Sequence, residues 1–166
     1  MKVIHLFPEL KDYYMKDFTE NVLTYDSEFW ELDEGLKEIL IKINVNENVQ
    51  TLYSKRYSSG KHMNEHESYL MFTYSSNVEQ KLFKELIPEI TTKYSCGIGY
   101  DNTTCFYTFT YPEKESNNNA SNINLACIKD GNYFNVNHIK MYLQSYSLEK
   151  HDEFWDDITR MLVSLN

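Results

Sequence analysis

The chain has 166 residues, 42% of them hydrophobic and 15% aromatic, and a formal charge of −9 from 25 acidic against 16 basic side chains. A chain of this length buries roughly 70% of the surface its unfolded form exposes, so one core suffices without disulfides or a structural metal, and intrinsic disorder is excluded. The acidic field repels a phosphate backbone, which argues against nucleic acid as a ligand and favours a basic protein partner.

At the N-terminus a short strand is expected over Lys2–Phe7. Its apolar run, Val3 to Phe7, is too short for a signal-peptide core, and no later segment is long enough to span a bilayer. The expectation is a cytoplasmic protein without membrane contact. Pro8 suits a helix start, and Leu10, Tyr14, Phe18 and Val22 recur on one helical face. Between Tyr25 and Gln50 two periods compete. Phe29, Leu32, Leu36, Ile39 and Ile43 keep helical spacing, whereas Ile39, Ile41, Ile43 and Val45 alternate as in a strand. The pattern is read as a helix handing over to a strand near Gly35–Glu38, with a turn at 44–48 and a returning strand over Val49–Ser58.

Ser68–Ser75 is an aromatic and apolar run expected to form a buried strand. Asn77 and Gln80 form a capping-box pattern ahead of Val78, Leu82, Phe83, Leu86 and Ile90, which predicts a helix bent or ended near Pro88. Gly97-Ile98-Gly99 lacks the third glycine and the following helix of a phosphate-binding turn, and reads as a helix C-terminus and turn. A strand is expected over 105–111 and a polar surface loop over 113–122. Asp130-Gly131 predicts a hairpin between Asn122–Lys129 and Asn132–Gln144. In the closing helix Phe154, Trp155, Ile158, Met161, Leu162 and Leu165 mark one side, and Glu149, Asp152, Glu153, Asp156 and Asp157 the other. The sum over residues 1–166 is a single α+β domain, a mainly antiparallel sheet packed with N-terminal, central and C-terminal helices and covered by helices on one face.

Three groups of residues bear on chemistry. His62, Glu65 and His66 fit the H-x-x-E-H pattern of inverzincin peptidases, in which two imidazoles one helical turn apart bind zinc and a carboxylate activates its water. No apolar stripe anchors a helix there, and no further carboxylate ligand is evident. A polar loop between strands explains the same residues, and the metal-dependent hydrolase stands as the alternative. Cys96, Cys105 and Cys127 have no C-x-x-C spacing and no basic neighbour, and read as reduced, buried thiols; the sequons at Asn102 and Asn119 then carry no glycan. Two acidic clusters remain, Asp26, Glu28, Glu31, Asp33 and Glu34 early in the chain and Asp152, Glu153, Asp156 and Asp157 on the closing helix. A like-signed patch steers and selects a partner of opposite charge, and Tyr13, Tyr25 and Tyr146 would anchor it.

An acidic, Tyr-rich chain of this size with an amphipathic closing helix resembles the immunity proteins of bacterial polymorphic-toxin and contact-dependent inhibition systems. The resemblance lies in size, charge and that helix, and no motif maps residue by residue. It implies a non-catalytic inhibitor without cofactor that occludes a cognate basic toxin domain, often a nuclease. The Asn-, Lys- and Tyr-heavy usage also fits an AT-rich genome, which leaves a phage or viral accessory protein as a further alternative.

Overall fold

The computed structural model describes residues 7, 10–24, 35–57, 66–95, 103–110 and 137–166. Helix α1 (Lys11–Asp17) runs on through a π-helical turn, Phe18–Val22. Helix α2 is Leu36–Asn44, β1 Val49–Lys55 and β2 Glu67–Tyr74. A 3₁₀ turn (Ser76–Val78), the short α3 (Glu79–Lys81), a π-helical turn (Leu82–Leu86) and α4 (Ile87–Tyr94) then follow without a break. Strands β3 (Thr104–Thr110) and β4 (His138–Gln144) and helix α5 (Leu148–Val163) complete the described elements.

All strand pairs are antiparallel, in the order β1-β2-β4-β3. Alternation along the strands sends Leu70, Phe72, Ile139, Met141, Leu143 and Cys105 to one face, where all are buried. Helices α2, α4 and α5 deliver Leu36, Leu40, Ile43, Ile87, Ile90, Phe154, Trp155, Ile158 and Leu162 to the same core. Helix α2 packs on β1 and α5, and α4 packs on β3 and α5, so α5 lies in the middle of the helical layer. Asn46 ties the layer to the β1 end, its Nδ2 donating to the Leu162 and Leu165 carbonyls at the C-terminal end of α5 (2.7 and 2.8 Å). This is the expected α+β arrangement, with helices on one face of an antiparallel sheet.

Three local expectations are corrected. The strand expected from Gly35–Glu38 onward is helix: burying Leu36, Leu40 and Ile43 on one face outweighs the alternation of Ile39, Ile41 and Ile43, and Ile41 is exposed. The capping box does not form. Asn77 lies inside the 3₁₀ turn, the extended Ser75 precedes it, and the Ser75 hydroxyl donates to Asn48 Oδ1 instead (2.7 Å). Nor does the helix end at Pro88. The π-helical turn lies directly before α4, and Pro88 occupies the first turn of α4, where a missing N–H costs nothing. The hairpin expected about Asp130-Gly131, with 122–129 and 132–136, lies outside the described residues; the described end of its second strand, His138–Gln144, pairs with β2 on one side and β3 on the other. The N-terminal strand, the 97–99 turn and the 113–122 loop also lie outside the described residues.

Candidate protein-binding surface

The face of the sheet turned away from α2, α4 and α5 has a different chemistry. Its residues lie in cross-strand rows fixed by the register. Gln50, Thr73 and His138 form a row at one end, all buried, and Lys11 of α1 reaches it, donating to the Val49 carbonyl and to Gln50 Oε1 (3.1 Å). The next row is Tyr53, Met71, Lys140 and Thr108, followed by Lys55, Tyr69, Tyr142 and Phe106, and then by Glu67, Gln144 and Thr104. None of these is buried, and Tyr53 and Phe106 are 56% and 37% exposed.

Tyr53 reaches this face through an irregularity. Simple alternation would put it with Val49 and Thr51 on the core side, but the register slips between Thr51 and Tyr53, so that Thr51 opposes Phe72 and Tyr53 opposes Met71. A bulge of this kind re-aims the side chains beyond it. The aromatic rings hold one another: Phe106 and Tyr142 stack at 4.7 Å with 12° between planes, and Tyr69 lies 6.1 Å from Tyr142. Lys140 Nζ sits over both tyrosines, 4.0 Å from the Tyr69 centroid and 4.6 Å from that of Tyr142. Ring faces occupied by neighbouring rings and an ammonium do not serve as a platform for stacked bases. What remains outward is ring edge and phenol hydroxyl, the chemistry with which tyrosine anchors a protein surface.

The residues singled out from the sequence are distributed otherwise. Asp26, Glu28, Glu31, Asp33, Glu34, His62, Glu65 and Tyr25 lie outside the described residues, as do Cys96 and Cys127. His66 immediately precedes β2 in a left-handed conformation (φ 45°), with Nδ1 3.1 Å from the Tyr57 hydroxyl and its ring against the exposed Tyr146 (4.3 Å). Among the described residues no group of three His, Cys, Asp or Glu could hold a metal. Tyr13 packs edge-on to Tyr14 in α1.

The acidic side of α5 is partly neutralised within the chain. Asp152 pairs with Arg56 (3.1 Å), Glu153 with Lys150 (3.6 Å), and Asp157 with Lys93 (2.6 Å) and Arg160 while accepting from the Tyr94 hydroxyl. Burial acts to raise the Asp157 carboxyl, but the bonds from Lys93, Tyr94 and Arg160 outweigh it and hold the group below the usual carboxylate range. Asp156 and Glu149 are exposed on the same helix.

A serine and a histidine do meet, but in the interior. The Ser68 hydroxyl lies 2.7 Å from His151 Nδ1, His151 Nε2 donates to the Ser145 carbonyl (2.8 Å), and Tyr57 N–H donates to Ser68 Oγ (2.9 Å). Burial lowers the His151 pKa, only partly offset by the bond to Ser145, so the neutral imidazole accepts the serine proton. Both residues are 0% exposed, so no substrate reaches the hydroxyl in this conformation; the network fastens the start of β2, the end of β4 and α5 to one another. Cys105 is equally inert, its thiol pushed up to about 12 by burial.

Sequence reasoning missed the open-face aromatics because an aromatic in a strand reads as core until the position of the helices is known. The available signal was Lys140 between hydrophobic neighbours in His138–Gln144, a charge that alternation places away from the core. No helix among the described residues is long and apolar enough to cross a membrane. Compared with known proteins, the chain matches no family model, no curated protein and no solved structure.

Proposed function

We propose that this chain is a non-catalytic, protein-binding inhibitor that uses the open face of its sheet to occlude a partner, in the manner of an immunity protein neutralising a basic toxin domain. The observation that carries the reading is the row Tyr69, Tyr142 and Phe106 with Tyr53 and Met71 beside it, a set of aromatic and apolar groups left unburied on the face opposite the helical layer. Tyrosine supplies large contact area at low entropic cost, and such residues dominate binding energy when a partner seals them from water. The net charge of −9 supports a basic partner, since it accelerates encounter with one. Asp156 and Glu149 on α5, with the 26–34 cluster, contribute to that field rather than to the contact.

The test is co-expression with a candidate basic toxin domain found by co-purification. The reading expects growth rescue and a stoichiometric complex, both weakened in a Phe106→Ala/Tyr142→Ala variant that keeps its thermal midpoint within a few degrees. Rescue and complex formation indifferent to that variant would remove the sheet face from the proposal, and absence of any complex would remove the inhibitor reading.

A further inference from the structure

Resting on that reading, we infer that the partner's contact surface places a carboxylate on Lys140, so that the open face takes an acidic side chain at its centre rather than a cation. Lys140 lies in the middle of the face, between Met71 on β2 and Thr108 on β3, with Tyr69, Tyr142 and Phe106 in the adjoining row. Its ammonium is held over two tyrosine rings, which fixes a side chain that would otherwise be among the most mobile on a surface. Rings do not replace a counter-ion, and among the described residues no carboxylate lies within ion-pair distance of Lys140. The Glu67 carboxylate on the same face is two rows away and accepts from Gln144 Nε2 (3.1 Å).

A protein closing over this face removes water from the ammonium. A buried charge without a partner is strongly unfavourable, whereas one met by a carboxylate in good geometry recovers its solvation, and the rings have already restricted the rotamers that pairing would have to freeze. A partner lysine or arginine meets repulsion from Lys140, which already holds the place over the Tyr69 and Tyr142 rings. The acidic character of the whole chain and the cationic centre of this face act at different ranges. The net charge steers a basic protein from a distance, and Lys140 selects, within that protein, a place where an Asp or Glu is exposed.

A random peptide library displayed on phage, panned against the full chain, tests the inference with no partner protein required. Peptides carrying Asp or Glu next to an apolar or aromatic residue are expected to be enriched. They should bind Lys140→Glu at least about tenfold more weakly than wild type, bind Lys140→Arg comparably, and bind Tyr142→Ala weakly. Enriched peptides that lose binding to Tyr142→Ala but bind Lys140→Glu equally well would overturn the carboxylate while leaving the face as the docking surface. Enriched peptides rich in Lys or Arg and free of acids would overturn it too. Peptides indifferent to both positions would sink the face itself. Lys140 is only half-buried, so its variants are expected to keep the wild-type thermal midpoint, which confirms that the comparison is made on folded protein.

Discussion

On the covered face of the sheet Leu70, Phe72, Ile139 and Met141 are fully enclosed, whereas one residue along on the same strands Tyr69, Met71, Lys140 and Tyr142 keep contact with water. Both faces are rich in large side chains, but they differ in what satisfies them. Over β2 and β4 the covered face is closed by aliphatic and aromatic groups from α2, α4 and α5, with Tyr57, Ser68, Ser145 and His151 completing a sealed polar network at one end, while at the β3 edge Tyr107 and Phe109 stay 36% and 49% exposed. The open face is arranged by its own contacts, ring on ring and ammonium on ring, with nothing above it among the described residues except α1 at the Gln50 end. A face held in order before anything binds loses less entropy when a partner arrives, so the proposed function assigns stability to one side of the sheet and recognition to the other.

Truncations of similar size on the two sides give the largest contrast. Trp155→Ala removes a fully buried indole from the middle of the helical layer and is expected to cost about 3–5 kcal/mol in urea unfolding. Tyr53→Ala, on the open face, should stay within about 0.5 kcal/mol of wild type. Equal losses would mean that the open face is part of the core.

Lys11 marks the place where α1 crosses onto the open face. Burial lowers its pKa from 10.5 to about 8, partly offset by Glu47. Between those values the unfolded chain binds more protons than the folded one, so stability should rise with pH across that window, by an amount on the order of 3 kcal/mol. Lys11→Met should flatten the rise. A wild-type profile already flat between pH 8 and 10.5 would show that this lysine is not enclosed.

The sealed network should respond as a buried polar cluster does. Ser68→Ala leaves His151 Nδ1 without its donor and is expected to cost about 1–3 kcal/mol. Because the folded His151 titrates below its ordinary 6.5, the unfolded state takes up the proton first as the medium is acidified. Stability is therefore retained above pH 6.5 and lost progressively below it, and His151→Gln should remove part of that slope. A smaller effect is expected at Asp157, whose carboxylate is 12% exposed but whose partners Lys93 and Arg160 are mostly solvated. Asp157→Asn should cost about 1 kcal/mol by thermal unfolding, and less at high salt.

Much of the covered side was legible in the chain. The aromatic and apolar run Ser68–Ser75 reads as a buried strand and the six apolar positions of the closing helix require one buried side, and Phe154, Trp155, Ile158, Met161, Leu162 and Leu165 are all buried. Ile39–Val45 was not, because an Ile-rich segment fits both periods and only contact with β1 and α5 decides between them. The neighbours of β4 were not legible either, since a turn dipeptide is a local signal and the pairing of His138–Gln144 with β2 is a long-range choice. The open face escaped for two further reasons. Its aromatics read as core residues, and Tyr53 joins it only through the register slip after Thr51, which no periodicity announces.

The central claim is that the open face, rather than the acidic side of α5, is the contact surface. Calorimetric titration of a co-purifying basic toxin domain into wild type, Phe106→Ala/Tyr142→Ala and Asp152→Asn/Asp156→Asn tests it most directly. The aromatic variant should weaken binding by about 2 kcal/mol or more, roughly thirtyfold, while the charge variant stays within about 1 kcal/mol of wild type and chiefly slows association. The reverse pattern, with tight binding by the aromatic variant and a large loss in the helix variant, would contradict the account.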